Sequence, residues 1–220
     1  MRPAFYALRP GGWRDYVTLL HPPYTLWHLS YIAVGAGLAP RLDGTRLGAT
    51  FGAFALALGV GAHALDELRG RPLATGIPAP VLVGLAAASI AGAAALGIAV
   101  AASFSLWLLV FVGAGSFLVV AYNLELAGFH TDLWFGLAWG AFPVLTAYFA
   151  MVGRLRGEAV AGAVFATVFS LAQRALSTPV RDARRRGGDP VLLEPAERAL
   201  RLLTLAAVAL GGALLLSHLR

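Results

Sequence analysis

The sequence predicts an all-α, polytopic integral membrane bundle of about seven transmembrane helices forming one domain over residues 1–220, and three observations carry that expectation. First, 59% of the residues are hydrophobic, only 13% are charged, and the mean hydropathy is +0.74. A water-soluble domain carries about a quarter charged residues, so this chain cannot cover a water-facing surface and lipid must face much of it. Second, the apolar residues fall in long uncharged runs without the alternation of a membrane barrel, which leaves helices as the spanning structure. Third, all 17 basic residues are arginines, mostly set in short segments between the apolar runs. A net charge of +6 distributed in this way indicates membrane topology and not a nucleic-acid surface. The absence of cysteine excludes a disulfide scaffold, thiol chemistry and cysteine metal sites.

Taken in order, Arg2, Arg9 and Arg14 alternate with Pro3, Pro10 and Gly11-Gly12, a pattern unlike a cleavable signal peptide. This stretch reads as an interfacial lead-in, with Trp13, Tyr16, Tyr24 and Trp27 as an aromatic belt. A first span, about Tyr24 to Pro40, is short and carries His28; Pro22-Pro23 would cap or kink an extension through Tyr16 to Leu20. A second runs from about Leu47 to Leu65. A third, about Val81 to Val100, is entered through Pro78 and Pro80 and is rich in Ala and Gly, which permit close helix contacts. The short link Ala101 to Phe104 makes it a hairpin with a fourth at about Ser105 to Tyr122. The fifth, sixth and seventh cover about Leu133 to Val152, Ala159 to Leu176 and Leu202 to His218.

Arginine counting orients the bundle: 11 arginines lie on the face of the N-terminus, 5 others (Arg41, Arg46, Arg154, Arg156 and Arg220) lie opposite, and Arg174 is ambiguous. The N-terminus is therefore expected in the cytoplasm. Acidic residues follow the ends of the even-numbered spans: Asp66 and Glu67, Glu125 and Asp132, and Asp182 and Asp189. Even-numbered ends share one face, and a carboxylate at an apolar helix end is costly unless it meets water, a cation or a partner. Asp132, Asp189, Glu194 and Glu197 read more simply as solvated loop residues.

The segment after the second span carries the densest chemistry. On a continuing helix His63, Asp66, Glu67 and Gly70 share a face by their spacings of three and four, with Arg69 and Arg71 just beyond. Carboxylates able to hold a divalent metal, beside guanidinium groups that pair with phosphate oxygens, form a diphosphate clamp.

From His21 to about Gly188 the chain resembles the UbiA superfamily of intramembrane prenyltransferases. Asp66 matches the second Asp of that family's NDxxDxxxD motif, Arg71-Pro72-Leu73 its basic tail, and Thr75-Gly76 its small pair; Ala62, His63 and Gly70 stand at the other motif positions. Arg181-Asp182-Ala183-Arg184-Arg185-Arg186-Gly187 is similar to the second Asp-rich loop, with Arg186 where a further Asp is expected. Tyr122 matches a family Tyr, while Leu126 occupies the position of the following Lys. The resemblance implies a UbiA-like fold that moves a prenyl group from a prenyl diphosphate to an unidentified acceptor, with the membrane lipid as surroundings. It implies Mg²⁺ on Asp66, Glu67 and Asp182, a set that suffices for one ion where the family holds two; diphosphate on Arg69, Arg71, Arg181 and Arg185; and Tyr122 and Asn123 facing the reacting carbon. His63 is either a further ligand or proton acceptor, or an ordinary interfacial histidine. The aromatic series Phe104, Trp107, Phe111, Phe129, Trp134, Phe135, Trp139 and Phe142 fits either a prenyl tunnel or simple packing.

Two other classes stay open. One is a non-catalytic isoprenoid- or lipid-binding, or partner-supporting, protein of the same fold; the other is a small transporter, for which no internal repeat is seen. Gly113-Ala114-Gly115-Ser116 lacks the last glycine of a nucleophile elbow, so a membrane serine hydrolase is not expected.

Overall fold

A computed structural model describes residues 3–219, with the side chain of Pro190 excepted; Arg2 and Arg220, used above to orient the bundle, lie outside the described residues. Among the described residues the regular structure is helical throughout, with no strand. A short helix α1, Trp13–Leu19, is followed by α2, Pro22–Gly37. Helix α3 covers Gly44–Leu68, α4 Ala79–Ser103, α5 Leu108–Asn123 and α6 Asp132–Val152. Helix α7 is Gly157–Arg185, and α8 is Pro190–Leu216, extended by one 3₁₀ turn at Ser217–Leu219. Five of these, α3, α4, α6, α7 and the stretch Val191–Leu219, are long and apolar enough to cross a membrane, and α5 is apolar but shorter. The chain is thus a helical membrane protein.

Local chemistry sets the boundaries. Pro22 and Pro23 occupy the first turn of α2, where a missing N–H costs nothing, so they start the helix and do not kink it. The break falls at His21, whose φ of 45° is left-handed. Asp43 caps α3, its carboxylate accepting from Arg46 N at 2.9 Å, and starts the helix three residues before the expected Leu47. Gly153, at φ 75°, closes α6 with its N–H on Phe149 O at 2.7 Å.

Burial separates inner from outer helices. In α6, 67% of the most apolar window is buried, against 17% in α4, which faces outward. Helix α2 packs between α6 and α8 and buries Trp27, Tyr31 and Ile32 completely. Trp27 donates from Nε1 to Tyr31 Oη at 2.6 Å, so Trp27 and the buried Tyr24 are core residues and not members of an interfacial belt; Trp13, at 68% exposure, keeps the expected surface position. Glycines allow the tightest crossings. A Cβ on Gly35 would lie 2.2 Å from Val144 O of α6, and one on Gly140 would lie 2.5 Å from Ala166 O of α7.

Helix α7 departs most from expectation. It continues nine residues beyond Leu176 with Pro179 inside it, so the expected Asp-rich loop is a helix end. Its 29 residues span about 44 Å at 1.5 Å per residue, more than the roughly 30 Å of hydrocarbon. Helix α8 likewise begins 12 residues before Leu202, capped by Asp189, whose side chain accepts from Val191 N at 2.9 Å. Glu197, expected in a solvated loop, is 5% exposed and accepts from Arg184 Nε at 2.5 Å.

Candidate functional site

Two α-helices are interrupted by wider π turns, Ala55–Ala62 in α3 and Gly136–Ala141 in α6. Such turns are enriched at functional sites because they release carbonyls from the regular ladder. Both border a cleft of about 890 Å³ at one end of the bundle. Its walls are the N-terminal segment, the N-terminal part of α2, the C-terminal ends of α3, α5 and α7, and the links after α3 and α5.

The cleft brings together nine of the ten residues singled out from the sequence: His63, Asp66, Arg69, Arg71, Tyr122, Asn123, Arg181, Asp182 and Arg185. Glu67 is the exception. It is fully buried on the other side of α3, where Oε2 accepts from Leu73 N at 3.0 Å and Oε1 accepts from both Thr75 N and Thr75 Oγ1 at 2.8 Å. With three donors on its two oxygens it anchors the loop after α3, and the expectation that it ligates metal is corrected.

Six arginines and three carboxylates line the cleft, a balance that favours an anion. Several are already committed. Arg69 pairs with Glu125 at 3.1 Å, and Arg71 donates from Nη1 to Thr75 O at 3.3 Å and Ile77 O at 2.6 Å. Arg174 pairs with Asp132 and donates to Tyr122 Oη at 2.5 Å. Arg181 and Arg185 form no salt bridge with a described residue, and among the described residues Arg181 bonds Thr178 Oγ1 at 3.4 Å. The expected four-arginine clamp therefore reduces to Arg181 and Arg185 as the guanidinium groups free to meet an anion. Asn123 is engaged too, Nδ2 donating to Val119 O at 2.7 Å.

Asp66 and Asp182 are half-buried at the cleft wall, and neither is in a salt bridge with a described residue. Among the described residues no three His, Asp or Glu side chains converge as a metal-binding group. The three-residue set does not fit. Two carboxylates do suit Mg²⁺, which is held by one or two of them together with water and substrate phosphate oxygens.

The N-terminal segment roofs the site. Asp15 is buried and accepts from Gly11 N and, across to the loop after α3, from Gly76 N, each at 2.9 Å. Ala4 and Ala7 pack on Leu73, and Arg201 of α8 lies 4.9 Å from the Phe5 ring centroid. Tyr6 Oη bonds His21 Nδ1 at 2.8 Å, and the His21 ring stacks on His63 at 4.1 Å between centroids. Burial first, then the His63 ring and Arg181, hold the His21 imidazole well below its ordinary pKa, so it is neutral at pH 7. Burial and the neighbouring Tyr24 push the Tyr6 phenol up, so it keeps its proton.

Sequence reasoning passed over His21, His28, His130, Gln173 and Arg174 as site residues, all of which line the cleft. A signal was present for one group. Ser170, Gln173, Ser177 and Arg181 recur at spacings of three and four along α7, which marks a polar stripe facing the bundle interior. The first three are at most 3% exposed.

A smaller apolar groove of about 100 Å³ lies between α3, α4, α5 and α6. It shares Leu58 and Trp139 with the cleft, and each of these residues sits in one of the two π turns. Of the aromatic series, Phe111, Trp139 and Phe142 line this groove, Phe135 lines the cleft, and Trp107 is 72% exposed. Comparison with family models, curated proteins and solved structures finds no match for this chain.

Proposed function

We propose that the chain is a UbiA-like membrane prenyltransferase that binds a prenyl diphosphate with its head in the cleft and transfers the prenyl group to an acceptor. The observation that carries the reading is the junction at Leu58 and Trp139, where an arginine-lined polar cleft meets an apolar groove. An amphipathic ligand with an anionic head matches both halves, and Arg181 and Arg185 supply bidentate donors for phosphate oxygens. A single Mg²⁺ would sit on Asp66 and Asp182 and would stabilise charge on the leaving diphosphate. The guanidinium groups would stabilise the same charge. Tyr122, held by Arg174 on its hydroxyl and by Trp139 edge-on at 5.6 Å between centroids, forms a fixed wall for the reacting end of the chain.

Detergent-purified protein given Mg²⁺ and a labelled prenyl diphosphate should release diphosphate, and Asp66→Ala should lower that release about 100-fold or more. Arg181→Gln should weaken prenyl diphosphate binding about tenfold. Unchanged release in the Asp66 variant refutes the reading. The commitment of Glu67 to its loop favours one alternative, a protein that binds the lipid without turning it over. Tight binding with no release on any donor would select that alternative.

A further inference from the structure

Three histidines in the cleft share one arrangement. His28 Nδ1 lies 3.0 Å from Trp139 O, His63 Nδ1 lies 3.1 Å from Gly59 O, and His130 Nδ1 lies 3.0 Å from Tyr122 O. A carbonyl oxygen only accepts, so in the neutral ring the proton sits on Nδ1 and Nε2 keeps its lone pair. Each carbonyl belongs to a place where regular helical pairing is interrupted: the π turn of α6, the π turn of α3, and the last turn of α5.

His28 is the deepest of the three, 5% exposed, and no described residue bonds its Nε2. Beside it stands a second acceptor without a donor. Tyr31 of α2 and Ser170 of α7 meet through their hydroxyls at 3.1 Å. The two helices run in opposite directions, so three residues back on α2 and three onward on α7 bring His28 and Gln173 to one level, and both line the cleft. Gln173 is 3% exposed, and its Oε1 is a buried side-chain oxygen with no hydrogen-bond partner among the described residues. An orphaned buried acceptor needs a donor from somewhere. At this floor of the cleft His28 Nε2 offers a lone pair and no proton, so an O–H satisfies it and a carbonyl or ether oxygen does not.

The geometry points to this floor as the seat of the second substrate, and to that substrate as a hydroxyl compound, an alcohol or phenol, bound by its O–H to His28 Nε2 beside Gln173 Oε1. The binding site stands on these contacts alone, and the transfer step rests on the prenyltransferase reading. In that step the hydroxyl oxygen bonds to the prenyl carbon. The bond from that carbon to the diphosphate oxygen breaks, its electron pair leaving on the diphosphate, and the hydroxyl proton passes to His28 Nε2.

The probes are phenol and its methyl ether anisole, added without prenyl diphosphate to protein labelled with ¹⁵N in histidine. His28 Nε2 should resonate as an unprotonated nitrogen and should move with phenol and not with anisole. Gln173→Leu should weaken phenol binding about tenfold, and His28→Phe should remove the moving signal. A phenol response without diphosphate release from a prenyl donor would retire the transferase reading and keep the hydroxyl site. Diphosphate release with no phenol response at His28, or with equal responses to phenol and anisole, would overturn the hydroxyl site. The two ligand measurements on unaltered protein decide the matter even if His28→Phe fails to fold.

Discussion

Glu67 and Asp66 are neighbours in sequence with opposite fates. Successive residues on a helix point about 100° apart, so when Asp66 faces the cleft, Glu67 turns to the loop and is satisfied by Leu73 and Thr75. The spacing in the sequence showed two carboxylates at a helix end but not which one the following loop would claim, because that depends on how Leu73 to Thr75 fold back. The consequence is measurable. Glu67→Ala should lower stability by about 3 kcal/mol or more, because three hydrogen bonds to a buried carboxylate are lost. That corresponds to a fall in Tm of roughly 6–12 °C for a chain of this size. The melt is to be run in EDTA; an unchanged Tm there would mean that Glu67 does not hold the loop.

At the level of whole helices, the apolar runs were legible and the polar ends were not. Hydropathy marks where lipid begins, so the segments around α3, α4 and α6 were found with small errors. The arginines after Leu176 read as a loop because charge ends a hydrophobic window. In fact α7 continues to Arg185 as a helix, and Arg181, Asp182 and Arg185 reach the cleft from it. The crossing that fixes the position of α7 is Gly140 against Ala166, where a Cβ would come within 2.5 Å of a backbone oxygen. Gly140→Val should therefore cost about 3 kcal/mol. Gly113→Ala, with nothing within 4 Å of the added carbon, should leave the melting temperature at or slightly above that of the parent protein. Equal behaviour of the two variants in thermal melts would argue against close packing of α6 on α7.

Across the whole molecule, the scarce charge gathers where the ends of several helices meet, which the positions of the acids along the sequence had indicated. The roof over that cleft was not legible, since Tyr6, Asp15 and His21 acquire their roles from residues at sequence separations of 15 to 61. Burial of His21 ties global stability to pH. Its pKa is lowered in the folded state and is about 6.5 when unfolded. Its contribution is thus fully present above pH 6.5 and declines as the pH falls below that value, by up to about 1.4 kcal/mol per unit. Melting temperatures should drop between pH 7 and pH 5, and His21→Asn, whose side chain tolerates the left-handed backbone without titrating, should flatten that slope. A slope as steep in the variant as in the parent protein would remove His21 from the account.

The two π turns have a further meaning. Each behaves as one residue spliced into an otherwise regular helix, and it rotates everything beyond it by about 100° relative to an uninterrupted α-helix. The faces of α3 and α6 that meet the cleft, and the outer faces that meet lipid, are therefore in phase with their neighbours only because those residues are present. A chain built on the same plan with straight helices would align to this one with a single-residue gap at Ala55–Ala62 and another at Gly136–Ala141. The same two segments contain Gly59 and Trp139, the residues whose carbonyls orient His63 and His28.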